Sequence, residues 1–516
     1  MASKTLFQSI WGRLLPATDA RNDEGAPAYA FEPRHALAQY AATGCLNTTF
    51  YATDAQQLDA VRALCDQVDP EFIARAAIYA RERGFMKDMP ALLCAVLSRR
   101  APALLERVFP RVIDNGRMLR TFVQIVRSGV VGRKSLGSLP KRLVRRWLAE
   151  SSDEAVVAAS VGQSPSLADI LRMVHPRPAT ASREALYGWV LGRPRDDAAL
   201  PDLVRRYEAY KAGEQREVPA VPFQMLTQLP LGPQEWTTIA ERAGWQMTRM
   251  NLNTFARHGV FARGLTDLIA ERLRDREAIR RAQVYPYQLL TAWAMASKEV
   301  PAAVRRALED AMEIAIENVP AVAGQVVVCP DVSGSMRSPV TGARRGATTA
   351  VRCIDVAALM AAAVLRRNPE AVVLPFEHAV VDVRLSLRDS VMSNAAALAG
   401  IGGGGTNCSA PLVALNQRRQ AADLVIIVSD NESWVDTGRG RGTATLSEWN
   451  RLRQRNPHAC LVCIDVQPYG TTQAVEREDI LNVGGFSDQV FDVIAEFAAR
   501  RLTSDHWVGV IEAVAV

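Results

Sequence analysis

The sequence predicts two kinds of structure in one chain, an all-α helical array followed by a doubly wound α/β domain, and three observations support this. From about Glu32 to Pro320 apolar residues recur at spacings of three and four. Near Ala321 that period gives way to short β-branched runs alternating with helical patterns. At 516 residues the chain also exceeds what a single core usually holds, so two domains are expected, 1–320 and 321–516.

In the first domain the helical period is carried by sets such as Phe72, Ala76 and Tyr79, or Leu104, Val108 and Val112. Proline and glycine break it at Pro90, Pro102, Pro110, Gly129, Gly132, Pro140, Pro176, Pro230, Pro286 and Pro301. Short helix–turn–helix units of this kind predict a stacked, solenoid-like array, although no repeat aligns with itself by eye. Lys211–Pro222 is the most loop-like interior piece. In the second domain, Gln325–Cys329, Ala371–Phe376, Leu424–Val428 and Cys460–Val466 read as buried strands, with helices at Asp355–Arg367 and Ser409–Gln420. Such a parallel sheet receives its ligands beyond the carboxyl ends of its strands.

Composition narrows the function. A hydrophobic fraction of 48% and a charged fraction of 22% fit a soluble globular protein. No apolar run approaches the ~20 residues of a membrane span, and the N-terminus lacks the pattern of a secretory signal. The eight cysteines form no framework, which predicts reduced thiols in a cytoplasm. Cys460 and Cys463 make a CxxC inside an apolar run without a second ligand pair, so buried strand cysteines are expected there rather than zinc.

The net charge of +6 is unevenly placed: residues 1–320 carry 43 basic and 35 acidic side chains, residues 321–516 carry 18 and 20. Ala101–Glu150 alone holds 11 basic against 3 acidic. Within it crowd Arg127, Arg133, Lys134, Lys141, Arg142, Arg145 and Arg146. Ser138 is expected to cap the helix and Pro140 to sit in its first turn. Arg142, Arg145 and Arg146 then share one face, while Val144, Trp147 and Leu148 turn to the core. A solvated helix face explains such charge equally simply, but the shortage of acids favours a phosphate backbone. A second cluster, Arg272–Arg281, is mixed with acids and predicts mostly intrahelical pairs. In Gln246–Phe255, Arg249, Asn251 and Asn253 could contact RNA bases or simply close loop hydrogen bonds.

At the end of the first strand of the second domain stands Asp331-Val-Ser333-Gly-Ser335. Thr406 follows a glycine run, Gly402–Gly405, and Asp430 closes the LVIIV strand. Two carboxylates and three hydroxyls form an all-oxygen shell suited to Mg²⁺ or Mn²⁺. The site is equally readable as a structural ion that only stabilises the loops. No nucleophile–base pair is evident and His378 has no geometric claim to be a base, so no enzyme activity is expected.

The DxSxS, Thr and Asp segments resemble the metal-ion-dependent adhesion site of von Willebrand A domains. Together with GCLNTTFYA (Gly44–Ala52), Ser128–Leu148, SLADILRMVHPRP (Ser166–Pro178), QMTRMNLNTF, IRRAQVYPYQLLTAW (Ile279–Trp293), GGTNC and SDNES (Ser429–Ser433), the chain resembles the Ro ribonucleoprotein autoantigen family in a bacterial form. That resemblance implies a TROVE module, a HEAT-like helical ring joined by the A domain. It implies Y-like noncoding RNA on a basic outer surface, with Arg133, Lys134, Lys141, Arg142 and Arg145 as contacts. It also implies single-stranded 3′ ends of misfolded RNA in a central hole, near Arg249 and Asn253, in RNA quality control or processing. An exoribonuclease such as polynucleotide phosphorylase is the implied partner, and a monomer without membrane attachment is expected. The chain departs from the family at Gln163-Ser-Pro165, where members commonly carry a Trp-Ser-His-type segment. The competing reading is a metal-dependent protein–protein adaptor with the helices as scaffold.

Overall fold

In the computed structural model the described residues are 15–43, 46–282, 286–340, 342, 351–434, 442–485, 488–502 and 506–516. They form two compact units. One contains Met1–Gln67, Val284–Thr291 and Met312–Ala513; the other contains Val68–Gln283, Ala292–Ala311 and Val514–Val516. The division at residue 320 read from the sequence therefore differs from the packing. The first 67 residues go with the α/β unit rather than with the helices that follow them.

The strands, in chain order, are β1 (Ala20–Arg21), β2 (Pro27–Ala30), β3 (Val326–Pro330), β4 (Val372–Val373), β5 (Leu424–Ser429), β6 (Cys460–Asp465), β7 (Thr471–Thr472) and β8 (Ile480–Gly484). Five of them form an all-parallel sheet in the order β4-β3-β5-β6-β8. The chain leaves β3 toward β4 on one side and later returns to β5 on the other, so the switch point lies at the carboxyl end of β3. β4 is shorter than the run Ala371–Phe376, because Pro375 has no N–H for the ladder; Phe376 rejoins it by donating to the Pro330 carbonyl at 3.1 Å. The runs read from the sequence do not include β8, whose Asn482 and Gly484 dilute its apolar character.

One face of the sheet buries Val327, Ile427, Leu461, Phe376 and Trp449 in a common core. The helix Cys353–Arg367 packs on β3 and β5, and its whole sequence from Cys353 to Leu365 is buried apart from Asp355. Tyr29 of β2 belongs to the core of the α/β unit, and β2 pairs antiparallel with both β1 and β7. This is why the N-terminal segment belongs to that unit. Cys460 and Cys463 are buried and free on β6.

In the other unit, helices from Pro70–Glu82 through Ala181–Leu191 each pack on the next helix but one, giving two layers. The helix Gly116–Ser128 shows how the sequence builds each step. Asn115 caps it by accepting from the N–H groups of Arg117 and Met118, and Gly129 ends it in the left-handed conformation. Met118, Leu119, Phe122, Val123 and Val126 face the core, leaving Arg117, Gln124 and Arg127 away from it. The expected Ser138 cap is not made: Gly137, at φ +71°, precedes the helix Ser138–Glu150, and Ser138 is its first residue. Among the described residues no helix is long and apolar enough to cross a membrane.

Candidate cation site and basic helical face

Asp331 and Asp430 leave the ends of adjacent parallel strands, β3 and β5, and so converge at the switch point. Asp331, Ser333, Ser335, Thr406 and Asp430 are all buried, none more than 5% exposed. The Asp331 carboxylate accepts from the Ser333 N–H at 2.8 Å and from the Ser429 hydroxyl at 2.6 Å. The Ser333 and Ser335 hydroxyls lie 3.3 Å apart, and Ser335 hydrogen-bonds Asp430. The glycine loop that precedes Thr406 lies against the first segment, where the Gly334 N–H donates to the Gly404 carbonyl at 2.8 Å. Gly402 is required there, since its φ is +81° and a Cβ would meet the Val332 carbonyl oxygen at 2.1 Å.

More acid surrounds this shell than the motif alone indicates. Glu432 and Asp465 are buried as well, near enough to Asp430 for its charge to push both upward, and among the described residues Glu432 Oε1 and Asp465 Oδ2 lack hydrogen-bond partners. Among the described residues none of Asp331, Asp430, Glu432 and Asp465 forms an ion pair. Burial, then the neighbouring Asp430 charge, pushes the Asp331 carboxyl upward; burial does the same to Asp430. Burial, with Asp430 and Asp23 adding, pushes Glu432 up to about 9. Buried like charges without a counterion are costly, and a divalent cation removes that cost. Oxygen-only donors of this kind fit Mg²⁺ or Mn²⁺ rather than zinc. Among the described residues no group of three or more His, Cys, Asp or Glu is placed to hold a metal, so the hydroxyls are essential to any shell here.

Sequence reasoning missed the N-terminal contribution. Asn22 Nδ2 donates to the Ser433 carbonyl at 2.7 Å and the Asp23 N–H donates to Glu432 Oε2 at 2.7 Å. Tyr51 lies within hydrogen-bonding reach of Ser335. Asn22 and Asp23 are some 400 positions from their partners in sequence and no local pattern marks them, whereas Tyr51 falls inside the GCLNTTFYA segment. Ser429 and Glu432 fall inside the SDNES segment, the other available signal. His378 is exposed and lies beside Glu377, 2.9 Å from its carboxylate.

On the basic face the structure separates the predicted contacts. Arg142 pairs with Glu106 at 2.9 Å. Arg145 donates to the Val174 carbonyl, and Arg133 to the Ser98 carbonyl at 2.7 Å. Arg127, Lys134, Lys141 and Arg146 have no ion-pair or hydrogen-bond partner among the described residues. Trp147 is half-buried rather than in the core. Arg249 is buried. Asn253 is exposed but has both ends of its amide engaged, donating to the Met295 carbonyl at 2.9 Å and accepting from the Ser297 N–H at 2.8 Å. In the second arginine cluster only part of the pairing is intrahelical: Arg272 donates to the Ala240 and Glu241 carbonyls, and Arg274 reaches Asp310 at 2.7 Å.

A family model described as the Ro60 vWA domain matches residues 325–498, which span β3 to β8 and all five shell residues. The chain is 26% identical to the RNA-binding protein RO60 of Deinococcus radiodurans over 531 residues, 94% of this chain and 96% of that protein. It is 23% identical to the RNA-binding protein RO60 of Caenorhabditis elegans over 280 residues, 52% of this chain and 42% of that protein. The crystal structure of the Deinococcus radiodurans RO (RSR) protein has a similar fold. Its TM-score is 0.64 at 21% identity, covering 91% of this chain and 100% of that chain. The likeness in fold thus extends through the helices as well as the A domain: residues 325–498 match the Ro60 vWA domain model, and nearly the whole chain is similar to a protein named RNA-binding protein RO60.

Proposed function

We propose that this chain is a non-catalytic RNA-binding protein of Ro type that holds phosphate backbone on its basic helical face. The observation that carries this reading is the set of four cations, Arg127, Lys134, Lys141 and Arg146, left without partners among the described residues in a region short of acids. Cations already paired gain little from a phosphate, whereas free ones release counterions when they bind it. The relatives named as RNA-binding proteins support the same reading. The family resemblance supports a finer version, in which Y-like noncoding RNA lies on this face and single-stranded 3′ ends of misfolded RNA enter a central hole. RNA quality control in the cytoplasm, alongside an exoribonuclease such as polynucleotide phosphorylase, is part of that version.

The α/β unit adds a cation site, with Mg²⁺ or Mn²⁺ held by Asp331, Ser333, Ser335, Thr406 and Asp430. Its buried, unpaired acids favour a second role, capture of an acidic group on a protein partner. The chemistry the ion would supply is a positive centre with a position open to an anionic oxygen.

The test is a binding titration at two salt concentrations with three ligands: a structured RNA with a single-stranded 3′ tail, the same RNA trimmed blunt, and a tailed DNA. Tight, salt-sensitive binding that requires the RNA tail is expected. Equal and weak binding to all three would overturn the RNA reading and leave the adaptor role in first place.

A further inference from the structure

The loop that precedes Thr406 offers almost no side chains to a partner. Gly402 and Gly403 are exposed and Gly404 and Gly405 half-buried, so residues 402–405 form a ledge of bare backbone beside the shell. Three other segments hold it. The Gly403 N–H donates to the Val332 carbonyl at 3.1 Å, and the Glu377 carboxylate accepts from the Gly404 N–H at 2.7 Å. Residues 433 and 434, just after β5, supply the third hold: the Trp434 N–H donates to the Thr406 carbonyl at 3.2 Å, and Ser433 Oγ accepts from the Cys408 N–H at 3.3 Å. The shape of the ledge is thus set by the protein itself.

Two exposed side chains flank this ledge. Trp434 is 47% exposed, yet its ring is fixed. A Cβ on Gly405 would collide with Trp434 Nε1 and come within 2.6 and 2.9 Å of Cε2 and Cδ1 on either side of it. The nitrogen edge of the indole therefore fills the space that the glycine leaves, and the rest of the ring carries the exposure. At the other end Arg337 donates to the Gly402 carbonyl at 2.8 Å; it is exposed and forms no ion pair among the described residues. A ring already immobilised costs little entropy to bury and is the usual anchor of an interface, while an unpaired guanidinium beside it favours acid.

We propose that this ledge docks a protein segment that sets an acid on the cation and lays the neighbouring apolar side chain on Trp434, with Arg337 adding charge complementarity. This rests on the acid-capture reading of the cation site given above and names the partner's chemistry. A lone carboxylate competes with water for a divalent ion and is a weak ligand. An apolar group joined to it meets the indole at high effective concentration, so the pair binds better than either part. Residues 321–516 carry 18 basic and 20 acidic side chains, so a polyanion gains nothing here from long-range charge, and a single acid is the better match. The backbone N–H of Trp434 serves Thr406 while the ring serves the partner, so substitution of the side chain separates the two roles.

The experiment uses the full chain with Mn²⁺ as the ion and two probes, acetate and phenylacetate. Mn²⁺ affinity is read by electron paramagnetic resonance, and carboxylate binding by the fall in water proton relaxation as the acid displaces water from the ion. Wild type is expected to bind phenylacetate about tenfold more tightly than acetate, the gain from covering an anchored ring. Trp434→Ala should bring the two within about twofold of each other, and Trp434→Phe should keep most of the preference. Without carboxylate, Mn²⁺ affinity should stay within about threefold in both variants, well short of the cost of losing an orienting partner. An unchanged preference in Trp434→Ala overturns the anchor while leaving the cation site intact. A loss of Mn²⁺ affinity beyond about tenfold in Trp434→Ala makes the indole a support for Thr406 and also overturns it. If phenylacetate gains nothing over acetate while a short single-stranded oligoribonucleotide binds the ion and loses that binding in Trp434→Ala, the ledge takes RNA and the protein segment is overturned. Wild type that binds Mn²⁺ but neither carboxylate removes acid capture and the docking ledge, and failure to bind Mn²⁺ removes the cation reading with them.

Discussion

At the carboxyl ends of β3 and β5 the polar groups are inside the protein: Asp331, Ser333 and Asp430 are at most 2% exposed, and hydrogen bonds from neighbouring loops orient them. On the helices Gly116–Ser128 and Ser138–Glu150 the charged groups are outside the core, and two of them, Arg120 and Arg145, are spent on the protein's own carbonyls. The first region concentrates its chemistry at one point and excludes water, so each side chain carries a large share. The second spreads weaker, salt-screened interactions over a surface, so only the sum matters. A motif locates the first kind of site, whereas the second depends on which charges folding leaves unused.

The comparison is sharpest at Asp331. Asp331→Ala is expected to weaken Mn²⁺ binding by more than about 100-fold by calorimetry, beyond the 10–100-fold typical of losing an orienting neighbour. Ser429→Ala, which withdraws only the hydroxyl aimed at Asp331, should cost about tenfold. Neither should alter RNA affinity measured in EDTA; a parallel loss there would mean that the two regions are not separate sites.

Joint reversal of Lys134, Lys141 and Arg146 to Glu should weaken RNA binding about 10- to 100-fold near physiological salt and flatten its salt dependence. Arg142→Ala should change affinity about twofold at most, because its charge is already shared with Glu106. The reverse order would show that the Arg142–Glu106 pair opens to meet RNA.

His35 gives a pH test of how firmly the N-terminal segment is integrated. Burial pushes its imidazole down to about 4, against a bond from Nε2 to the Asn482 carbonyl at 2.9 Å, and the nearby His506 opposes its charging further. Phe31 stacks on it and Trp507 meets its edge. In the unfolded chain it titrates near 6.5, so the unfolded state takes the proton first as pH falls. Its contribution is therefore intact above about pH 6.5 and is lost toward pH 4, to a limit of about 3 kcal/mol. Urea unfolding at pH 7 and pH 4.5 should show a smaller acid loss in His35→Gln than in wild type.

The smallest effect concerns Asn253. With both amide ends engaged at Met295 and Ser297, Asn253→Ala should cost about 1 kcal/mol of stability by thermal unfolding. Its RNA affinity should match wild type once folded protein is compared; a specific loss would return Asn253 to the list of contacts.

Several elements were legible before any coordinates. The change of period near Ala321, the four apolar runs and the five shell positions all rest on local spacing, and β3, β5 and β6 match the runs to within one residue. β8 was not legible, because a strand with Asn and Gly is recognisable only by its neighbour β6. The Ser138 cap failed for a local reason: Gly137 takes the turn at positive φ, and the helix starts one residue earlier than a Ser cap would need. Arg133, Arg142 and Arg145 read the same as Lys134 and Arg146 in the sequence. Which of them are tied depends on carbonyls and acids about 30 or more residues away.

What the sequence determined by itself was the chemistry on offer: oxygen ligands at strand ends, a surplus of arginine and lysine on amphipathic helices, and the period that makes each element. Periodicity and motif spacing are short-range properties, so the chain alone expresses them. Only the tertiary structure decided which groups meet and which stay free. Pairing β2 with β7 carries Asn22 and Asp23 to a site some 400 residues distant, and helix packing uses some cations while sparing others. Those outcomes follow from burying apolar surface, with Tyr29 in the core of the α/β unit, and the polar contacts are set by where that burial leaves the backbone.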